Sequence, residues 1–388
     1  MKPVPELREL LELTRRVGND PLLTQASTGN CSAKLDGVLW VKASGKWMAD
    51  ALSGDFLIPL DLAEVRTECL RQDVNPSARY PGASLETALH ATLPHRMALH
   101  LHCVDTIAWA VRSDAPLHLK RLLEGLAWQW IPYVASGLPL ARKIEQACAV
   151  QPETNLFVLG NHGLVLCGED AEDIEGLLSE VRRRLAIAPR EHHPADYAAL
   201  MEVAMNSHWD LPDDDAVHAL GTDAISRSIL AGGMLFPCQA IFSDSGSMEV
   251  FRPIAYPFPG DDWQYRYADR SFLILEGRGV VVSRMIAPAQ LAMISGLAQV
   301  VQRLGAGTSL RYLTDGEIAG LAGETAYRYR ELASAGHGVR NGAPAPRPMV
   351  PAMGQMPAGR GGYSSYEAGA MEEPRCESRG GETASGLA

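Results

Sequence analysis

Leu7, Leu10, Leu11 and Leu13 recur at helical spacing ahead of Gly18-Asn19-Asp20, which predicts an opening helix closed by a turn. A glycine-punctuated region follows, and residues 37–42 predict a short strand that runs into a tight loop at Ala43-Ser44-Gly45. Ser84 is placed to cap a helix over 85–93, stopped by Pro94. The apolar run 97–103 reads as a strand, 117–128 as a helix and 155–159 as a buried strand. Residues 171–188 form an amphipathic helical pattern with an acidic start. This alternation predicts an α/β layered domain over residues 1–210.

The acidic, proline-bearing stretch Leu211-Pro212-Asp213-Asp214-Asp215 has the composition of a junction, so a smaller α+β domain is expected over 211–334. Within it the pattern predicts a helix near 217–230, a strand at 239–243, a hairpin pairing 271–275 with 279–283, an apolar helix over 288–304 and a closing segment at 314–331. From about Ala335 the apolar periodicity gives way to Gly, Pro, Ser and Glu, which predicts a disordered tail over 335–388.

Composition changes the picture in three ways. A chain of 388 residues with 46% hydrophobic and 21% charged positions can bury a sizeable core and exceeds one small module. Its net charge of −11 repels polyphosphate backbones and anionic lipid, so neither nucleic acid nor membrane is an expected partner. The seven cysteines are scattered and never form a CxxC pair, and the charged amphipathic start contains no apolar export segment. A cytoplasmic protein without a disulfide framework is expected.

The sharpest chemical feature is His100-Leu101-His102. Residues two apart on a strand project to one face, so the two imidazoles stand at a separation suited to one metal ion. The other reading is two polar residues on a solvent face. His162, flanked by Gly160 and Gly163, is a candidate third ligand, and three imidazoles with an open fourth position describe a catalytic zinc site. Glu86 precedes His90 by four residues on the same helix face. It is either a carboxylate beside the metal or an ordinary first-turn Glu favoured by the helix dipole. The loops Ser27-Thr28-Gly29-Asn30-Cys31-Ser32 and Ala43-Ser44-Gly45-Lys46, with Ser84, carry the hydroxyls and glycine-freed N–H groups of an anion nest. Each taken alone also reads as an ordinary turn.

Taken together, Ser27–Ser32, Lys42-Ala43-Ser44-Gly45, Ser84–His90, His100-Leu101-His102 and Asn161-His162-Gly163-Leu164 resemble the class II aldolase/adducin family in order and approximate spacing. Residues 41–49 and 85–90 are most similar to the aldolase part of rhamnulose-phosphate aldolase/dehydrogenase proteins. The resemblance implies a three-layer αβα domain, usually in a homotetramer with sites between subunits. It implies zinc, or another divalent metal, on His100, His102 and His162, and Glu86 as acid/base. Ser27, Thr28, Asn30, Ser44, Gly45 and Ser84 then bind substrate phosphate. Tyr133 is a candidate for the aldehyde half of the site.

The activity so implied is reversible aldol cleavage of a ketose 1-phosphate, or a related sugar, to dihydroxyacetone phosphate and an aldehyde. A metal-dependent decarboxylase or dehydratase of a related sugar phosphate on the same fold, and a non-catalytic adducin-like interaction module, are the alternatives. The sugar-phosphate aldolases often carry two serines before the Glu, whereas this chain has Ser84-Leu85. No G-x-G-x-x-G fingerprint opens the C-terminal unit, so a dinucleotide-binding half is not expected.

Overall fold

Three short apolar runs lie side by side at the centre of the protein because each is buried on both faces. In the computed structural model, which describes residues 5–205, 207–243, 248–258, 263–321 and 324–336, these runs belong to a seven-stranded sheet. The strands are β1 (Asn30–Leu35), β2 (Val38–Lys42), β3 (Leu57–Asp61), β4 (Met97–Leu101), β5 (Trp128–Ile131), β6 (Leu156–Leu159) and β7 (Gly163–Gly168), in spatial order β3-β2-β1-β4-β7-β6-β5. All neighbours run antiparallel except β5 and β6.

Alternation sorts the side chains between two layers. Met97, Leu99 and Leu101 of β4, with Leu164 and Leu166 of β7, face a cluster that includes Leu7 and Leu10 of helix Pro5–Gly18 and Ile174 and Leu178 of helix Ala171–Leu185. Ala98, Val165 and Cys167 face the opposite cluster, with Leu89 of helix Thr87–Thr92 and Ile144 of helix Leu138–Val150. Each fully buried Leu or Val stabilises the fold by about 1.5–3 kcal/mol. Burial on both sides is why β6 and β7 read as unbroken apolar runs rather than alternating ones. The result is the expected three-layer αβα arrangement.

A second sheet holds β8 (Trp209–Asp210), β9 (Phe272–Leu275) and β10 (Gly279–Ser283) in the order β8-β10-β9, with the predicted hairpin in register Gly279↔Leu275 to Val282↔Phe272. Helix Pro288–Gln302 packs beneath it. The strand expected at 239–243 is instead helix Pro237–Ile241, and the single helix expected near 217–230 is broken at Asp223, whose carboxylate caps the following helix Ala224–Gly232. The closing segment is two helices, Asp315–Leu321 and Glu324–Gly336. The segment assigned to a tail lies outside the described residues apart from its first two, which end the last helix.

The described residues belong to one compact unit. One core runs through both parts of it, joining Val104, Ile107 and Ala108 of the first to Leu235, Leu297 and Val301 of the second. Arg303 Nε donates to Asp105 Oδ1 at 2.7 Å across the same boundary. Among the described residues no helix is long and apolar enough to cross a membrane.

Candidate functional site

The sheet register assembles the site. His100 sits near the end of central strand β4, with Asn30 of β1 paired on one side and Val165 of β7 on the other. His102 follows two residues later, just past the strand end, and reaches the same face. His162 comes from the tight β6–β7 turn, where Asn161 holds a left-handed φ of 53°. Gly163 packs so close to β4 that an added Cβ would enter the Leu101 carbonyl, so glycine there is what allows His162 to approach His100.

The three imidazole rings converge, with centroids 4.9–5.0 Å apart and steeply inclined planes. One nitrogen from each lies within 4.8 Å of the others, and all three residues are buried. His100 Nδ1 lies 2.8 Å from Leu164 O, which can only accept, so Nδ1 carries a ring proton and Nε2 turns inward as the metal-facing atom. His100 Nε2 and His102 Nε2 are 3.2 Å apart. Burial holds His102 well below the usual imidazole range and His162 at about 4, so both are neutral, the form that binds metal. The donor set therefore fits a divalent cation.

Glu86 stands immediately before helix Thr87–Thr92 and makes no side-chain cap. Its Oε1 instead lies 3.5 Å from His100 Nε2 and 3.4 Å from His162 Nε2, and Asn30 Nδ2 donates to Oε2 at 2.5 Å. Burial pushes the carboxyl up, but His100, His162, His90 and the Asn30 amide outweigh it and leave the group below its ordinary value. Behind this group, Ser32 Oγ lies 2.8 Å from His90 Nδ1, and burial holds His90 at about 3. Lys42 is buried, and its ammonium donates to Ser27 O at 3.1 Å.

The remaining expected residues have mixed surroundings. Ser84 does not cap a helix, because the helix starts at Thr87; its hydroxyl is buried without a partner, as is Asn30 Oδ1. Thr28 Oγ1 donates to Gln25 O at 2.6 Å. Ser44 N donates to Gly82 O at 2.9 Å, and Gly45, at a φ of 77°, lies under Leu332. Tyr133 stacks under the Arg311 guanidinium, 4.8 Å from ring centroid to carbon, and burial raises its phenol to about 12.

Three residues at the site are not among those expected from the sequence. Cys238 Sγ lies 3.4 Å from His102 Nδ1, and Tyr329 and Ser27 exchange hydrogen bonds. Arg311 Nη1 donates to Asn161 Oδ1 at 3.2 Å, beside the turn that carries His162. All three come from the second half of the chain.

A family model described as the class II aldolase and adducin N-terminal domain matches residues 8–188. This stretch of the chain belongs to that family. It holds the three histidines, Glu86 and both loops. An uncharacterized oxidoreductase, YuxG, of Bacillus subtilis is 28% identical over 188 residues, covering 43% of this chain and 27% of the relative. A fluorothreonine transaldolase of Streptantibioticus cattleyicolor is 28% identical over 158 residues, 40% of this chain and 22% of the relative. The chain thus spans about a quarter of the length of these curated relatives. Among solved structures, an N-terminal class II aldolase domain of a conserved protein from Thermoplasma acidophilum aligns with a TM-score of 0.42 at 20% identity, over 48% of this chain and 94% of that one. An L-fuculose-1-phosphate aldolase from Thermus thermophilus aligns with a TM-score of 0.31 at 19% identity, over 46% and 92%.

Proposed function

We infer that the protein is a divalent-metal-dependent aldolase, with zinc held by His100, His102 and His162. Its reaction is the reversible cleavage of a ketose, free or as its 1-phosphate, into a three-carbon ketone and an aldehyde. The observation that carries this reading is the convergence of three buried imidazoles with one partly buried carboxylate 3.4–3.5 Å from two of them.

Cleavage takes the proton from the C4 hydroxyl, makes C4 a carbonyl and breaks the C3–C4 bond. The electron pair stays on C3, next to the C2 carbonyl, and a proton added at C3 completes the ketone product. No oxidant or reductant enters. A cation held by the three histidines supplies positive charge for the carbonyl oxygen that turns negative as the bond breaks. Glu86 moves the proton at C3, and Asn30, donating to Oε2, fixes which carboxylate oxygen is left facing the histidines. Tyr133, its phenol raised to about 12, is assigned to the aldehyde half: in condensation it gives its proton to the aldehyde oxygen that becomes the C4 hydroxyl, and in cleavage its phenolate form takes that proton back. Thr87 and His90, buried neighbours of Glu86, lower its contact with water and so strengthen these interactions. The working assembly in this reading is a homotetramer, which sedimentation of the purified protein would detect.

Zinc-loaded protein should release a three-carbon ketone and an aldehyde from at least one ketose or ketose 1-phosphate, and Glu86→Gln should lower kcat by about 10²–10⁴-fold. Full activity after exhaustive chelation would sink the reading.

A further inference from the structure

The two loops that offer themselves to an anion are occupied by the chain's own last helix, Glu324–Gly336. Ser27 is only 1% exposed, and its hydroxyl donates to Tyr329 Oη at 3.0 Å, while the phenol donates back to Ser27 O at 3.2 Å. Trp47 Nε1 donates to Ala333 O at 2.8 Å. Leu332 lies against Gly45 so closely that a Cβ there would stand 2.6 Å from Leu332 Cβ. Thr28 exchanges hydrogen bonds with Gln25, and the Lys42 ammonium is turned onto the Ser27 carbonyl. A phosphate placed on these loops would have to displace a helix and would meet Ser27 and Thr28 hydroxyls already bonded elsewhere.

The buried polar atoms near Glu86 without a partner include Asn30 Oδ1, Ser84 Oγ, Thr87 Oγ1 and His90 Nε2, and of the three oxygens the amide oxygen of Asn30 alone can only accept. Asn30 is 5% exposed, and its orientation is chemically fixed: the carboxylate can only accept, so the amide nitrogen faces Glu86 and the oxygen faces away from it. A buried amide oxygen without a donor costs about 1–3 kcal/mol and calls for an O–H or N–H. A phosphate dianion brings only acceptors and negative charge, and beside Asn30 it would face the partly buried Glu86 carboxylate. A sugar hydroxyl brings the missing donor.

Resting on the aldolase reading above, we propose that the site takes an unphosphorylated polyhydroxy ketone, with one substrate hydroxyl donating to Asn30 Oδ1 and the helix 324–336 standing where a phosphate group would go. Sequence features that suggest a phosphate nest here serve instead as the seat of that helix. Tyr329 and Leu332 are then specificity-determining residues contributed from outside the family domain.

The test uses the full-length zinc-loaded protein and matched pairs of ketoses with and without a 1-phosphate. Binding to the Glu86→Gln variant is measured by calorimetry, and cleavage by the unaltered protein is followed by trapping the released aldehyde. The expected result is binding and cleavage of the free ketose at least about tenfold better than its phosphate ester. Tighter binding or faster cleavage of the ester overturns the proposal and leaves the aldolase reading intact. Preferential binding of the free ketose without cleavage supports the ligand class and removes the aldolase reading. The double variant Tyr329→Ala, Leu332→Ala uncovers Ser27 and Gly45 and should gain affinity for the phosphate ester. A folded double variant with no such gain overturns the role given to the helix.

Discussion

Asn30 pairs with His100 across β1 and β4 and also donates its amide hydrogen to Glu86, so one strand register fixes the distance between the carboxylate and the histidines. That link sets the charge state of Glu86. Burial alone would keep the carboxyl protonated to higher pH, and the imidazoles and the amide reverse this. Asn30→Asp removes the donor and adds a like charge, which raises the Glu86 pKa. The acid limb of kcat/KM should move to higher pH by about one unit or more, read from a pH–rate profile. An unmoved limb would show that Glu86 is not the group that titrates in catalysis.

On the proposed reading, metal capture requires all three imidazoles. Because the rings are held by strands and a tight turn, deleting one leaves only two of the three converging imidazoles. Unaltered protein should hold about one zinc per chain, and a hundredfold excess over Kd should stabilise it by about 2.7 kcal/mol. His162→Ala should lose both, measured by elemental analysis and by melting with and without zinc. Equal zinc content in the variant would exclude His162 as a ligand.

Much of the site is legible in the sequence because it is local. A period of two places His100 and His102 on one face whatever surrounds them, and a glycine-flanked His162 after an apolar run marks a tight turn between buried strands. The segment 239–243 departs from its expected strand because a short apolar run has no period of its own: Pro237 at the first helical turn and burial on all sides make it a helix. The helix expected over 117–128 ends at Leu122, and β5 then begins at Trp128 through its pairing with β6. Cys238 and Tyr329 leave no trace in the pattern at all, and Arg311 shows only through the resemblance of residues 310–315 to the segment after the aldolase part of rhamnulose-phosphate aldolase/dehydrogenase proteins, with no hint of its contact. The partners of Cys238, Arg311 and Tyr329, namely His102, Asn161 and Ser27, are 136, 150 and 302 residues away, and only packing brings them together.

Acid should weaken the protein through His90. Its pKa is about 3 when folded against 6.5 as a model value, so the unfolded chain binds more protons between those values. Stability from this group is complete above about pH 6.5 and is lost as pH falls toward 3. At about pH 5 the loss amounts to about 2 kcal/mol. His90→Gln keeps a polar group near Ser32 but does not titrate. Urea unfolding at about pH 7 and about pH 5 should therefore show a smaller acid penalty in the variant. An equal penalty would place the sensitivity elsewhere.

Cys238 approaches His102, a ligand in the proposed reading, from outside the family domain. With His102 Nε2 turned toward His100, a metal bound at Nε2 requires the ring proton on Nδ1, where Cys238 Sγ at 3.4 Å is the acceptor. Burial pushes the thiol pKa up, so the acceptor is a neutral sulfur and the bond is weak but directional. Cys238→Ala removes it while opening little space, and zinc affinity should fall by about 10–100-fold in competition with a chromophoric chelator. Cys238→Ser restores an acceptor and should recover most of the loss. If the alanine variant binds zinc as tightly as the unaltered protein, the sulfur only fills volume, and the second half of the chain touches the metal site without tuning it.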